Sequence, residues 1–182
     1  MSQAIPMRSA YIALRFCAAL GLVPLAACGF HPLYGSTATG PGIAGTLAEI
    51  YVEPIPDRVG YQLRNDLLDL FNAPGRSDAA AYRLKLTLNE EEQAVALQTN
   101  TNITRYNYTL KAHYELFPKG STEAAKSGDV TTLTAYNVAA APYLYATVAA
   151  ERDAKDRAAN DIAERIRIAV AVYLRGQANK TR

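Results

Sequence analysis

The chain has 182 residues, 49% of them hydrophobic, with 19 Lys and Arg against 17 Asp and Glu, two histidines, two cysteines and no tryptophan. That length suits one domain, the apolar content excludes a disordered chain, and a formal charge of +2 gives no electrostatic reason to expect a nucleic-acid partner. Two cysteines cannot make a disulfide scaffold.

The first 27 residues differ from the rest: both methionines, Arg8 and Arg15, and no acidic residue fall there. A basic start, an apolar run over 16–27 and small residues ahead of Cys28 form the tripartite pattern of a secretory signal. A membrane-spanning helix needs roughly 20 apolar residues. This run is shorter and contains Gly21 and Pro24, so residues 1–27 are expected to be a signal peptide, not a permanent span. Its removal leaves 17 basic against 17 acidic residues, a formally neutral mature chain.

Leu25-Ala26-Ala27-Cys28 resembles the bacterial lipobox, in which the cysteine thiol takes a diacylglycerol, the signal is cut before it, and the new amino group is acylated. The alternative is an ordinary Ala-x-Ala cleavage with Cys28 as a free thiol. Two or three acyl chains hold a protein on a membrane where one binds only reversibly, at about 0.8 kcal/mol per buried CH₂. Lipidation at Cys28, with N-acyl (palmitate) and S-diacylglycerol groups, would therefore anchor the chain by its first mature residue. Gly29 stands where the enterobacterial inner-membrane retention pattern has Asp, which points to the periplasmic side of the cell outer membrane.

Residues 28–45 are rich in Gly, Pro, Ser and Thr and read as a tether. Regular structure is expected over 46–178. Residues 46–53, TLAEIYVE, alternate as a half-buried strand, with Ala48, Ile50 and Val52 opposite Glu49 and Glu53. The segment 58–75 follows as an amphipathic helix with Val59, Leu63, Leu67, Leu70 and Phe71 on one stripe, Arg64, Asp66 and Asp69 facing away, and Asn72, Pro74 and Gly75 stopping it.

Strict alternation marks the middle of the chain. Over 82–88, Tyr82, Leu84, Leu86 and Leu88 share one face and Arg83, Lys85 and Thr87 the other. Over 103–117, Tyr106, Tyr108, Leu110, Ala112, Tyr114 and Leu116 oppose Arg105, Asn107, Thr109, Lys111, His113 and Glu115. Strands usually run to about five or six residues, so a run this long predicts a hairpin projecting beyond the core. A further strand is expected near 129–136. The last element is an amphipathic helix over 146–175, with a stripe of Ala158, Ile162, Ile166, Ala169, Val170 and Tyr173, ending at Gly176 before a frayed tail, 179–182. Glu151/Lys155, Asp153/Arg157 and Asp161/Arg165 are i, i+4 pairs of favourable order on its outer face.

The expected architecture is α/β: a two-layer sandwich of a mixed four-stranded sheet with two helices packed on one face, in the order β-α-β-β-β-α, the other sheet face open.

Reactive groups are few. Only His31, in the tether, and His113, on a polar strand face, could act as imidazole bases, and no nucleophile elbow or metal-ligand spacing is present. No catalytic residue, metal site or cofactor is therefore assigned, and an enzyme is not expected. Arg83, Lys85, Arg105 and Lys111 share a polar sheet face if their strands are neighbours, and form a candidate phosphate-binding set; solvated strand positions are the other reading of the same four. Tyr143 and Tyr145 are candidate aromatic contacts for a partner, whereas Tyr106, Tyr108, Tyr114 and Tyr173 lie on apolar stripes and suit core packing.

Residues 28–35, CGFHPLYG, resemble the start of the LptE family of lipopolysaccharide-assembly lipoproteins in its alphaproteobacterial form. The element order, the RYNYTLKAHYEL strand and the terminal helix with DRAANDIAERI are similar in kind. The resemblance implies a non-enzymatic partner of the outer-membrane β-barrel LptD, plugging that barrel, assisting its assembly and binding lipopolysaccharide in transit. The family's basic ligand contacts are not matched at LQTNTN, residues 97–102, which carry no basic side chain. A different outer-membrane lipoprotein, serving as a scaffold in envelope or barrel assembly, fits the same lipobox and small α/β domain.

Overall fold

The computed structural model describes residues 42–76, 80–97, 103–139 and 143–180, so Cys28, the expected tether to residue 41 and residues 98–102 lie outside the described residues. Its elements are α1 (Ile43–Ala48), β1 (Ile50–Val52), α2 (Asp57–Phe71), β2 (Tyr82–Leu97), β3 (Ile103–Pro118), β4 (Lys126–Asn137) and α3 (Leu144–Lys180). The sheet runs β1-β2-β3-β4, with β1 parallel to β2 and the other pairs antiparallel. It is the mixed four-stranded sheet expected, with β4 antiparallel to β3 at one edge.

Two helices face the same side of the sheet because their stripes and the sheet's apolar face are the only surfaces that can exclude water together. Leu84, Leu86, Leu110, Ala112, Tyr114 and Leu116 from the strands meet Val59, Leu63, Leu67 and Phe71 of α2 and Ile162, Ile166 and Val170 of α3, all buried. Ala154, Ala158, Ala159 and Ala163 are fully buried on α3, and their small side chains let the helix approach its neighbours closely. Helix α2 ends where Asn72 turns left-handed at φ 52°, its N–H donating to Asp69 O and that of Ala73 to Leu68 O, a cap for the last carbonyls.

The structure departs from the sequence expectation in five places. The strand expected over 46–53 survives only as Ile50–Val52; Ile43–Ala48 is a short helix that buries Leu47, so regular structure begins inside the expected tether. Strand β2 reaches Leu97 instead of stopping at Leu88, and β4 extends to Lys126 and Asn137. Helix α3 passes through Gly176 to Lys180, since one exposed glycine costs only about 1 kcal/mol and no cap stops the helix there. Asp66, expected to face away, is partly buried, with Oδ2 lacking any hydrogen-bond partner and Oδ1 accepting from Gln62 Nε2 at 2.8 Å.

Candidate functional site

Register builds the open sheet face in rows. From the base of the hairpin outward they read Arg83/Phe117, Lys85/Glu115/Ser127, Thr87/His113/Asp129, Asn89/Lys111/Thr131, Glu91/Thr109/Leu133, Gln93/Asn107/Ala135 and, past a bulge in β2, Arg105/Asn137. All four candidate cations therefore lie on one face of neighbouring strands. They do not converge: Arg105 lies twelve residues along β3 from Phe117, the partner of Arg83, roughly 40 Å at about 3.3 Å per residue.

Three of the four are engaged. Arg83 bonds Glu53 at 2.6 Å and lies 4.3 Å above the Phe117 ring; Lys85 is 3.7 Å from Glu115; Lys111 is 3.3 Å from Glu91. His113 Nδ1 sits 2.8 Å from Asp129, not against Glu115. Arg105 has no ion-pair partner among the described residues. The face is thus a lattice of alternating charge with Thr, Asn and Gln between. Exposed pairs of this kind contribute about 0 to 1 kcal/mol each, so they can exchange partners at little cost.

On the opposite, helix-covered side, the sheet changes character beyond Leu88. The inward positions of β2 become Glu90 and Glu92, facing Leu110 and Tyr108 across the hairpin. Tyr108, fully buried, donates its hydroxyl to Glu90 at 2.9 Å, and Tyr136 donates to Glu92 at 3.4 Å while stacking on Tyr106 with centroids 5.5 Å apart. Lys155 of α3 reaches Glu92 at 3.0 Å and Glu151 at 2.7 Å, with its ammonium 5.4 Å from the Tyr108 ring. Burial opposes the Lys155 charge, but the bonds to Glu151 and Glu92 outweigh it and raise the pKa. Burial, reinforced by the neighbouring glutamates, pushes Tyr108 well above the ordinary phenol range and Tyr136 up to about 12.

This polar clamp was not identified from sequence, because Asn-Glu-Glu-Glu-Gln after Leu88 carries no apolar alternation. The length of 103–117 was the available signal, since a long strand with one apolar face needs an equally long partner. The same end of the domain exposes Tyr143, Leu144 and Tyr145, at 70%, 62% and 82%, where α3 begins. A groove of about 670 Å³ opens between β4 and α3, bordered by Thr132, Leu133, Thr134, Arg157, Asn160 and Arg165. Among the described residues no helix is long and apolar enough to cross a membrane.

No curated protein matches the sequence. Solved structures do. A lipoprotein from Caulobacter crescentus is 26% identical, with a TM-score of 0.61 over 74% of this chain and 96% of that one. Rare lipoprotein B from Shewanella oneidensis shares the fold at 17% identity, TM-score 0.53, over 73% and 97% of the two chains. A minor lipoprotein from Acinetobacter baumannii does so at 15% identity, TM-score 0.51, over 68% and 91%. The LptE family model, described as lipopolysaccharide-assembly, matches residues 47–170, which span β1 to most of α3, a range separate from the CGFHPLYG start. With its sheet order, helix packing and this match agreeing, the chain belongs to the LptE family of lipopolysaccharide-assembly lipoproteins.

Proposed function

We propose that this chain is an outer-membrane lipoprotein, anchored through acyl groups on Cys28 on the periplasmic side, that plugs and helps assemble an LptD-type β-barrel and takes part in lipopolysaccharide transport. The family match over 47–170 is the observation that carries the reading. The open sheet face supports it physically. A plug in a water-filled barrel needs a rigid body with a polar surface, and a face of paired charges and Thr, Asn and Gln is hydrated without carrying a net field. The role is one of binding, not catalysis. Arg105, the candidate cation with no ion pair among the described residues, is the one whose guanidinium would meet a lipopolysaccharide phosphate without breaking a bridge described there.

Affinity capture of the full-length lipoprotein in detergent tests the reading. The expected result is a stoichiometric large β-barrel, together with loss of functional barrel and surface lipopolysaccharide when the protein is depleted. Normal barrel levels after depletion would overturn it, and capture of another envelope assembly in place of the barrel would favour the scaffold reading.

A further inference from the structure

Strand β4 ends the sheet, and its outer edge pairs with no strand among the described residues. Which of its backbone groups are free follows from one bond. Val138 N–H donates to Thr104 O at 2.9 Å, one step beyond the Arg105/Asn137 pair. Bonded and non-bonded pairs alternate along an antiparallel ladder. Val130, Thr132, Thr134 and Tyr136 therefore bond to β3, and the N–H and C=O groups of Asp129, Thr131, Leu133 and Ala135 point outward from the sheet. These four have no backbone partner among the described residues.

Edge strands are normally blunted by brevity, proline, charge or a covering element, because a free edge templates another strand. The opposite side follows that rule by brevity and charge: β1 has three residues and pairs only with Tyr82, Arg83 and Leu84, and beyond it the outer edge of β2 carries Lys85, Glu90, Glu91 and Glu92. Strand β4 has twelve, contains no proline, and carries one outward charge, Asp129, which is engaged by His113. The outward side chains beside the free groups are Thr131, Leu133 and Ala135, with Leu133 62% exposed. Beneath the edge lies the groove against α3, whose rim residues Arg157 and Arg165 are 54% and 55% exposed in their pairs with Asp153 and Asp161. A strand added to β4 would send alternate side chains into this groove, where Asn160, the paired guanidiniums and the carboxylates of Asp153, Asp156 and Asp161 suit hydroxyl or amide groups, and the others over Leu133.

We propose that the free edge of β4 takes up an extended segment of the LptD-type partner as a fifth strand; this rests on the barrel reading above. A row of alternating amides and carbonyls is complementary only to another extended backbone. A closed barrel keeps all its own strand edges paired, so the segment comes from a loop or terminal arm of the barrel chain.

Amide hydrogen exchange on the full-length lipoprotein, free and in its purified complex with the barrel, tests this. The amides of Asp129, Thr131, Leu133 and Ala135 are expected to exchange at least tenfold more slowly in the complex. Leu133→Pro removes a free edge donor and no ladder bond, which edge strands tolerate; it is expected to weaken capture of the barrel tenfold or more. Leu133→Lys keeps the backbone intact and serves as the second variant should proline unfold the strand. Unchanged edge amides in a complex that still forms would overturn the proposal and leave the barrel reading standing. Absence of any complex would overturn both. Edge protection in the free protein that grows with concentration and accompanies a doubled mass would assign the edge to a second copy of this chain, and would also overturn it.

Discussion

Lys155 of α3 reaches across to Glu92 of β2 at 3.0 Å, tying the long helix to the part of the hairpin that outruns β1 and α2. The lysine side chain is only 20% exposed and also holds Glu151, so one ammonium satisfies carboxylates from two elements. Removing it leaves the Glu92 carboxylate, its side chain 34% exposed, without its cation beside the hydroxyls of Tyr108 and Tyr136. Lys155→Met keeps the aliphatic stem and is expected to destabilise the domain by about 1.5 to 3 kcal/mol, the usual range for losing hydrogen bonds to a charged group. Urea unfolding would measure the total, and faster amide exchange over 89–97 than over 82–88 would show that the loss is local.

Gly60 lies inside α2, where Ala is ordinarily favoured by about 1 kcal/mol. Here the sign reverses. A Cβ at position 60 would stand 2.6 Å from Ile55 Cγ2 and 3.0 Å from the Ile55 backbone carbon, because the turn after β1 folds directly against the helix. Gly60→Ala is expected to lower stability by about 1 to 3 kcal/mol, as overpacking does. Gly176→Ala, which meets nothing within 4 Å, should by contrast stabilise the last turns of α3. Thermal unfolding of the two variants side by side checks the opposite signs.

Two carboxyls give opposite pH dependence. The Thr132 hydroxyl, 2.5 Å away, and the Arg165 guanidinium hold Asp161 below the usual carboxylate range. A depressed pKa contributes stability above the unfolded value that is lost as pH falls through the folded one. Asp66 is raised, chiefly by burial, with repulsion from Asp69 and Asp156 outweighing part of what the Gln62 bond gives back. Its effect runs the other way: the folded state holds the proton more tightly, so this contribution is present at low pH and lost as pH rises through the raised value. Asp66→Asn should therefore raise the urea midpoint at pH 7 and leave it nearly unchanged at pH 3, whereas Thr132→Val should lower it at pH 7 and much less at pH 3.

How much of this was legible in the sequence depended on periodicity. Leu84, Leu86 and Leu88 announce a strand because every second residue is apolar, and Leu63, Leu67 and Phe71 announce a helix in the same way. Residues 89–97 carry no such signal: Glu90 and Glu92 occupy inward positions and are satisfied by Lys155, Tyr108 and Tyr136, partners that only the fold supplies. Leu47 is the single buried anchor of α1, too little to distinguish a short helix from a tether rich in glycine. Shared placement of Arg83, Lys85, Arg105 and Lys111 on one face followed from alternation, but their separation and their acidic partners follow from register, which alternation does not specify.

Tyr143 and Tyr145 stand 70% and 82% exposed where α3 begins, with Leu144 between them at 62%. Exposed aromatic residues of this size contribute little to folding, and their replacement away from the core is usually worth within about 0.5 kcal/mol. Tyrosine is nonetheless among the residues that carry most of the energy at protein interfaces, since it brings a large rigid surface and a hydroxyl at low entropic cost. On the barrel reading, Tyr143→Ser with Tyr145→Ser should leave the unfolding midpoint unchanged while weakening capture of the barrel by tenfold or more. Loss of both stability and capture would place these side chains in the fold instead, and full retention of capture would remove the start of α3 from the barrel interface.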